Sequence, residues 1–352
     1  MCKITTGNKN TQDKDENGLY PFYVRSQNIE RINSWTFDGE AILTAGDGVG
    51  VGKVFHYSIG KIGVHQRVYI LSNFKCDCKY LYQYFSSRFY NRVKRMSAKN
   101  SVDSVRMEMI ADMPLYLPSV GEQHKIGKLL ALLDERISTQ NKIIEKLQSL
   151  IKGIVDELMT VLLKGKLYPF SSFYIKAGEG GTPTTSVNEY YLGGTIPFIK
   201  IEDLSCKYLT SNKDFITELG MQKSSAWLIP SHSVIYSNGA TIGAISINEY
   251  PICTKQGILG IVPNTNINVE YLYLLMSSSY FSKEVNRIVT EGTMKTAYLK
   301  DINHIKCPLP SMAQQQNITN LTSSIEKKLF VEQELLKLLN IQKQHLLRTM
   351  FI

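Results

Sequence analysis

A chain of 352 residues is long for one ordinary compact domain and accommodates two. With 43% hydrophobic and 20% charged residues it buries real cores, which excludes a disordered protein. Lys and Arg outnumber Asp and Glu by 40 to 31, a formal charge of +9 that favours a polyanionic partner, nucleic acid being the commonest.

In chain order, the polar opening MCKITTGNKNTQDKDENG carries no apolar h-region, so no secretory signal is expected, and no later stretch is apolar enough to cross a bilayer. Residues 1–119 mix short β-rich runs (Ala41 to Leu43, Arg67 to Leu71) with turns and a helix around Tyr80. Candidate DNA-reading loops follow the strands: Arg25-Ser26-Gln27-Asn28, Asp47 to Lys53, and His65-Gln66-Arg67. Arg, Lys, Gln and Asn are the types that pair with guanine and adenine edges, and glycines let backbone amides approach phosphates. GDGVGVGK (Gly46 to Lys53) fails as a phosphate loop: Asp47 stands where its first glycine belongs and Val54 where Ser or Thr is required. Arg88, Arg92, Lys94 and Arg95 follow the aromatic segment Tyr80 to Tyr90, as a phosphate-contacting face or a solvated one, with the aromatics read as core.

A long helix is expected over 120–165. Ser119 and Glu122 form a capping box after Pro118. Ile126, Leu130, Leu133, Ile137, Gln140, Ile144, Leu147, Ile151, Ile154, Leu158 and Val161 then alternate four and three apart, a coiled-coil seam. From Val120 to Leu163 such a helix spans roughly 65 Å, and Gly165 can stop it.

Residues 166–311 repeat the first pattern with strands at Ser233 to Tyr236 and Ile258 to Val262 and a helix around Tyr271. GGTP (Gly180 to Pro183) reads as a turn. The reading loops here are Lys200 to Asp203 (with Glu202), Ser237-Asn238-Gly239-Ala240-Thr241, and Lys255-Gln256. For each loop residue taken singly an ordinary solvated loop competes; recurrence at equivalent places favours function for the set. The last segment, 312–352, opens on the capping box Ser311/Gln314 and continues the seam through Ile318, Thr322, Ile325, Leu329, Glu332, Leu336, Leu339, Lys343, Leu346 and Met350.

The halves are an imperfect internal repeat. KYLYQYFSS from Lys79 matches EYLYLLMSS from Glu270, and LPSVGEQHKIGKLLALLDERI from Leu117 matches LPSMAQQQNITNLTSSIEKKL from Leu309 at a constant offset of 192. Gln140 and Glu332 are equivalent by that offset, either fixing helix register or marking a solvated layer. The expected fold is α+β, two reading domains in a pseudo-two-fold arrangement separated by two long antiparallel coiled-coil helices. Catalytic motifs are absent: no H-E-x-x-H, no G-x-S-x-G, no methyltransferase Asn/Asp-Pro-Pro-Tyr/Phe. The histidines show no ligand spacing, and the scattered cysteines Cys2, Cys76, Cys78, Cys206, Cys253 and Cys307 read as reduced thiols of a cytoplasmic protein.

Two variable domains, each followed by an LPS-x-x-E/Q-Q helix, resemble the specificity subunit of type I restriction–modification systems. TTGNKN (Thr5 to Asn10), YPFYVRSQNI, AILTAGDGVGVGKVF and HQRVYIL resemble one target-recognition-domain variety; GGTP, GGTIPFIKIEDL and the KQG at Lys255 resemble another. The resemblance implies that each domain reads one half of a split double-stranded DNA site, without catalysis. It implies that the helices set the gap and dock two methyltransferase subunits, with restriction subunits joining them. S-adenosylmethionine, ATP and Mg are then expected on those partners, with no cofactor or metal bound directly and no membrane involved. A specificity partner of a fused restriction–methyltransferase enzyme, or a protein-binding coiled-coil adaptor, are the alternatives. One departure stands out: Lys166 to Ala177 have no counterpart before TTGNKN, so the first domain is expected to lack an edge element and to meet the end of the second helix more weakly.

Overall fold

The computed structural model describes residues 1–48, 50–96, 104–239, 241–289 and 296–351. Its contacts divide the chain into two units, Met1–Lys142 with Glu332–Ile352, and Ile143–Val331. Each unit thus takes part of each long helix, where the sequence alone gives the helices segments of their own.

Unit 1 contains β1 (Lys3–Thr6), β2 (Tyr20–Tyr23), β3 (Glu30–Ile32), β4 (Phe37–Ala45), β5 (Phe55–Val64) and β6 (Val68–Ser72). Its helices are α1 (Cys78–Met96), α2 (Met107–Ala111) and the first part of α3 (Val120–Leu162). The strands form one sheet in the order β1-β6-β4-β5-β2-β3, antiparallel except for β2 beside β5. The central strand β4 is covered on both faces, which is why Ala41–Leu43 are consecutive apolar residues and Ala41–Ala45 are all buried instead of alternating. Ile42 and Leu71 pack with Phe55, Phe85 and Phe89 beneath α1, while Leu43, Ile62, Val64 and Ile70 fill the other face with Tyr23. Each such side chain, fully buried, stabilises the fold by about 1.5–3 kcal/mol. Of the α1 aromatics, Tyr80, Tyr84, Phe85 and Phe89 are core, as expected, while Tyr82 and Tyr90 are half-buried.

Unit 2 contains β7 (Leu167–Pro169), β8 (Tyr174–Glu179), β9 (Ile196–Ile199), β10 (Tyr208–Leu209), β11 (Asp214–Ile216), β12 (Val234–Ser237), β13 (Ile245–Asn248), β14 (Cys253–Thr254), β15 (Ile258–Pro263) and β16 (Lys306–Pro308). Its helices are α4 (Glu218–Gln222), α5 (Val269–Ser277), α6 (Ser279–Ile288), α7 (Leu299–Ile302) and the first part of α8 (Met312–Met350). The order β8-β15-β12-β13, continued by β14-β9-β11, repeats that of unit 1. The strand matching β5 is broken into β13 and β14, and the short β10 is added outside β13.

The repeat extends to single hydrogen bonds. Gln123 donates to the Pro118 carbonyl at 2.8 Å and accepts from Asp77 N–H at 3.1 Å; Gln315 repeats this with Pro310 at 2.9 Å and Asn268 at 2.7 Å. Both expected capping boxes form, with Ser119 N–H on Glu122 and Ser311 N–H on Gln314, each at 3.0 Å.

Lys166 to Ala177 supply β7 and the start of β8, and β7 pairs with β16. In unit 1 the segment matching β16 forms no strand; Met113, Leu115 and Leu117 instead join Tyr80, Tyr84 and Leu130 around Phe351, which is fully buried. The end of the second helix is therefore anchored in unit 1 through Phe351.

Within unit 1 the helix segments run antiparallel: Gln140 lies opposite Glu332, and Ile126 and Leu130 pack with Leu346, Leu347, Met350 and Phe351. Every expected seam residue of α8 is buried or half-buried. In α3 the seam holds to Ile151 and then moves one position, so that Val155 and Met159 are buried while Val161 is exposed. A straight helix drifts about 20° per heptad from a strict seven-residue repeat, and here Val155 and Met159 enter the core with Tyr271 and Phe281.

Candidate nucleic-acid interface

In unit 1, backbone pairing gathers four loops at one end of the sheet. His65 N–H donates to the Tyr23 carbonyl at 3.0 Å, Gln66 N–H to Lys9 at 2.8 Å and Gly46 N–H to Arg67 at 2.8 Å. Gly7 makes this approach possible, since a Cβ there would lie 2.1 Å from the Val64 carbonyl oxygen. Arg25 then pairs with Asp47 at 2.8 Å, and Arg67 reaches the other oxygen of Asp47 at 3.5 Å. Both guanidiniums are well exposed, so the pairs add at most about 1 kcal/mol to stability; they hold two planar donors beside one another. Asp47, Gln66 and Arg67 line a shallow recess with Thr6 and Tyr69.

His65, expected as a loop contact, is corrected to a brace: it is 5% exposed, and its Nδ1 accepts the Arg67 N–H at 3.0 Å. Burial first, then the Arg25 charge, push its pKa below the ordinary 6.5, so the neutral ring that this bond needs is favoured. Gln27 turns away from Arg25 to a groove with His56 and Tyr57. Asn28 is exposed, with its carbonyl capped by Ser26 Oγ at 3.1 Å. Lys53 is exposed and lies over the Tyr90 ring, while Val49 in the same loop lies outside the described residues.

Unit 2 gathers the equivalent loops by equivalent bonds. Lys255 N–H donates to Ile199 at 2.9 Å and Asn238 N–H to Gly257 at 3.0 Å, while Gln256 N–H meets Thr182 Oγ1 at 3.3 Å. Gly180 stands for Gly7, its Cβ direction blocked 2.1 Å away by the Thr254 carbonyl oxygen, so GGTP is part of this surface and more than a turn. Lys255, Gln256, Glu202 and Thr241 are exposed; Ala240 lies outside the described residues. Lys200 is half-buried, and its hydrogen bond to Asp214 at 2.9 Å raises its pKa and ties its charge down. Ser237 and Asn238 are corrected: both are fully buried, and Asn238 donates to the Ala297 carbonyl at 3.1 Å, anchoring a distant segment instead of facing solvent.

The sequence reading passed over the fourth loop of each unit, Asn8 to Asn10 and Thr182 to Ser186; the recurring glycine before each was the available signal. Arg92, a candidate phosphate contact, donates instead to the Met109 and Asp112 carbonyls, whereas Lys94 and Arg95 are exposed. Among the described residues no group of three or more His, Cys, Asp or Glu is placed to hold a metal, and no helix is long and apolar enough to cross a membrane. All six cysteines are free.

The family profile described as type I restriction modification DNA specificity domain matches residues 1–149 and 174–340. The type I restriction enzyme EcoDI specificity subunit of Escherichia coli is 21% identical over 90% of this chain and 78% of its own length. The MjaIX specificity subunit of Methanocaldococcus jannaschii is 30% identical over 41% of this chain and 34% of its own. The fold is shared with the crystal structure of a type I restriction–modification S subunit from M. genitalium, at TM-score 0.66, 17% identity and coverage of 100% and 94% of the two chains. A chain from a structure of type I complex assembly and conformational transition aligns at TM-score 0.52 and 14% identity over 94% and 91%. With both repeats matched, the chain belongs to the type I restriction–modification DNA specificity family.

Proposed function

We propose that the two units read the two halves of a split, asymmetric double-stranded DNA site while the chain itself performs no catalysis. The helices set the gap between the halves and dock two methyltransferase subunits, to which restriction subunits add. S-adenosylmethionine, ATP and Mg act on those partners in a cytoplasmic complex. The observation that supports this reading is a shared frame carrying different readers. The same four loops converge in both units, yet they present Arg25, Asp47, Gln66 and Arg67 in one and Glu202, Thr241, Lys255 and Gln256 in the other. A conserved scaffold with exchanged loop side chains is what an asymmetric two-part target requires.

The test is a methylome. The chain is co-expressed with its methyltransferase subunit in an unmethylated host, and modified adenines are mapped by single-molecule sequencing. A split motif with a fixed gap, absent without this chain, is expected. A soluble complex that modifies no motif would refute the reading role, and failure to form any complex would favour a protein-binding adaptor.

A further inference from the structure

The two units differ at one place on their shared frame. In unit 2, Ile247 N–H donates to the Lys207 carbonyl at 2.7 Å, Glu249 N–H to Leu209 at 3.3 Å, and Ser246 Oγ to the Cys206 carbonyl at 2.7 Å. The segment 206–209, including β10, thereby lies along the outer edge of β13. Its Lys207 reaches Glu326 and, at 3.3 Å, Glu270, and lies 5.4 Å from the Tyr273 ring centre; Tyr208 donates to Glu270.

Unit 1 begins the same arrangement and abandons it. His56, the match of Ser246, donates to the Ser26 carbonyl at 3.1 Å, so Ser26 stands where Cys206 does. The chain then turns away, with Ser26 Oγ on the Asn28 carbonyl, and no β10 follows. Gly46 N–H pairs with Arg67 across β4 and β6, and this parity turns the N–H groups of Tyr57 and Ile59 away from β4. On that side β2 pairs only with Gly63 and Val64, and no backbone acceptor for Tyr57 or Ile59 is present among the described residues. Beside this open edge a groove is lined by Gln27, Tyr57, Lys79, Tyr82, Asp134 and Lys343.

The groove's charges are rearranged with respect to unit 2. Lys79 takes the place of Glu270, and Asp134, matching Glu326, is already paired with Lys343 and accepts from Gln83. A lysine in the position of Lys207 would meet cations, and a carboxylate would meet Lys79.

We propose that this edge is a strand-addition site: an extended segment of the methyltransferase subunit lies parallel to β5 where β10 lies in unit 2, with a carboxylate directed at Lys79. Backbone bonds to Tyr57 and Ile59 would supply affinity, and the groove specificity. The inference rests on the proposed function for the identity of the partner.

The test is residue-resolved hydrogen exchange on the full chain, alone and assembled with its methyltransferase subunit. Assembly should slow exchange at Tyr57 and Ile59 by about tenfold or more, while His56 and Ser58, which already face β4, change little. Lys79→Glu should abolish that alternating protection and Lys79→Arg should keep it. Unchanged exchange at Tyr57 and Ile59 on assembly, uniform protection of the whole strand, or protection that DNA alone produces would each overturn the proposal. The methylome of the Lys79→Glu complex separates the two readings, since an unaltered split motif keeps DNA reading intact whatever happens at this edge.

Discussion

Replacing Arg67 by alanine separates a reading residue from a structural one. The side chain is 63% exposed and its ion pair to Asp47 spans 3.5 Å, so truncation costs the fold at most about 1 kcal/mol. The backbone bonds that hold the turn, Arg67 N–H to His65 and the Arg67 carbonyl to Gly46, do not depend on the side chain. A guanidinium making a bidentate contact to a guanine contributes about 1–3 kcal/mol of discrimination, which is about a 5- to 150-fold preference at one base pair. Methylation rates would be measured on a panel of oligonucleotides carrying every single-base change in either half-site, with wild-type and Arg67→Ala complexes. Preference should collapse at one position of one half-site, with the melting temperature nearly unchanged. Relaxation in both halves, or full retention of every preference, would refute the assignment of Arg67 as a reader confined to one half.

Gln256→Ala should relax only the other half-site in the same panel. For His65 the native pKa is depressed, so the neutral ring is favoured and its stabilisation is complete above pH 6.5 and lost as pH falls towards the native value. Discrimination by unit 1 should therefore weaken in acid before that of unit 2, whose equivalent turn carries Lys255; equal acid sensitivity of both half-sites would contradict the brace role. Phe351→Ala removes a fully buried ring packed edge-on against Tyr80 and Tyr84, at centroid distances of 5.3 Å, and should destabilise unit 1 by about 3–5 kcal/mol in thermal or denaturant unfolding. Glu332→Leu alone deprives the buried Gln140 amide of the Glu332 carboxylate and should cost about 1–3 kcal/mol, whereas Gln140→Leu with Glu332→Leu should recover most of it, as denaturant midpoints would show.

What was legible in the sequence was what depends on near neighbours. A capping box joins residues three apart and a heptad seam repeats every seven, so Ser119/Glu122, Ser311/Gln314 and the seam to Ile151 could be read directly; the 192-residue offset marks Gln140 and Glu332 as equivalent, and their contact is a finding of the structure. The seam's one-position shift was not legible, because Val155 and Met159 are selected by a core that draws in distant residues such as Tyr271 and Phe281, more than 100 positions later. Exposure of loop side chains was hidden for the same reason. Asn238 has the composition of a reader, yet the Ala297 carbonyl, 59 residues away, buries it; His65 is withdrawn by the turn it braces.

This division bears on how specificity changes. The bonds that gather the loops run from backbone to backbone, save that Gln256 N–H meets the Thr182 hydroxyl in unit 2, with Gly7 and Gly180 needed for the close approach, so they constrain few side chains. Gln66, Arg67, Lys255 and Gln256 project from that frame into solvent, where substitution costs the fold little. Asn238 and His65 sit on the same loops but inside the frame, and replacing them would disturb the position of every reader in their unit. If these loops read DNA as proposed, a new preference is reached through the exposed tips one half-site at a time, while the buried members of the same loops hold the frame in place.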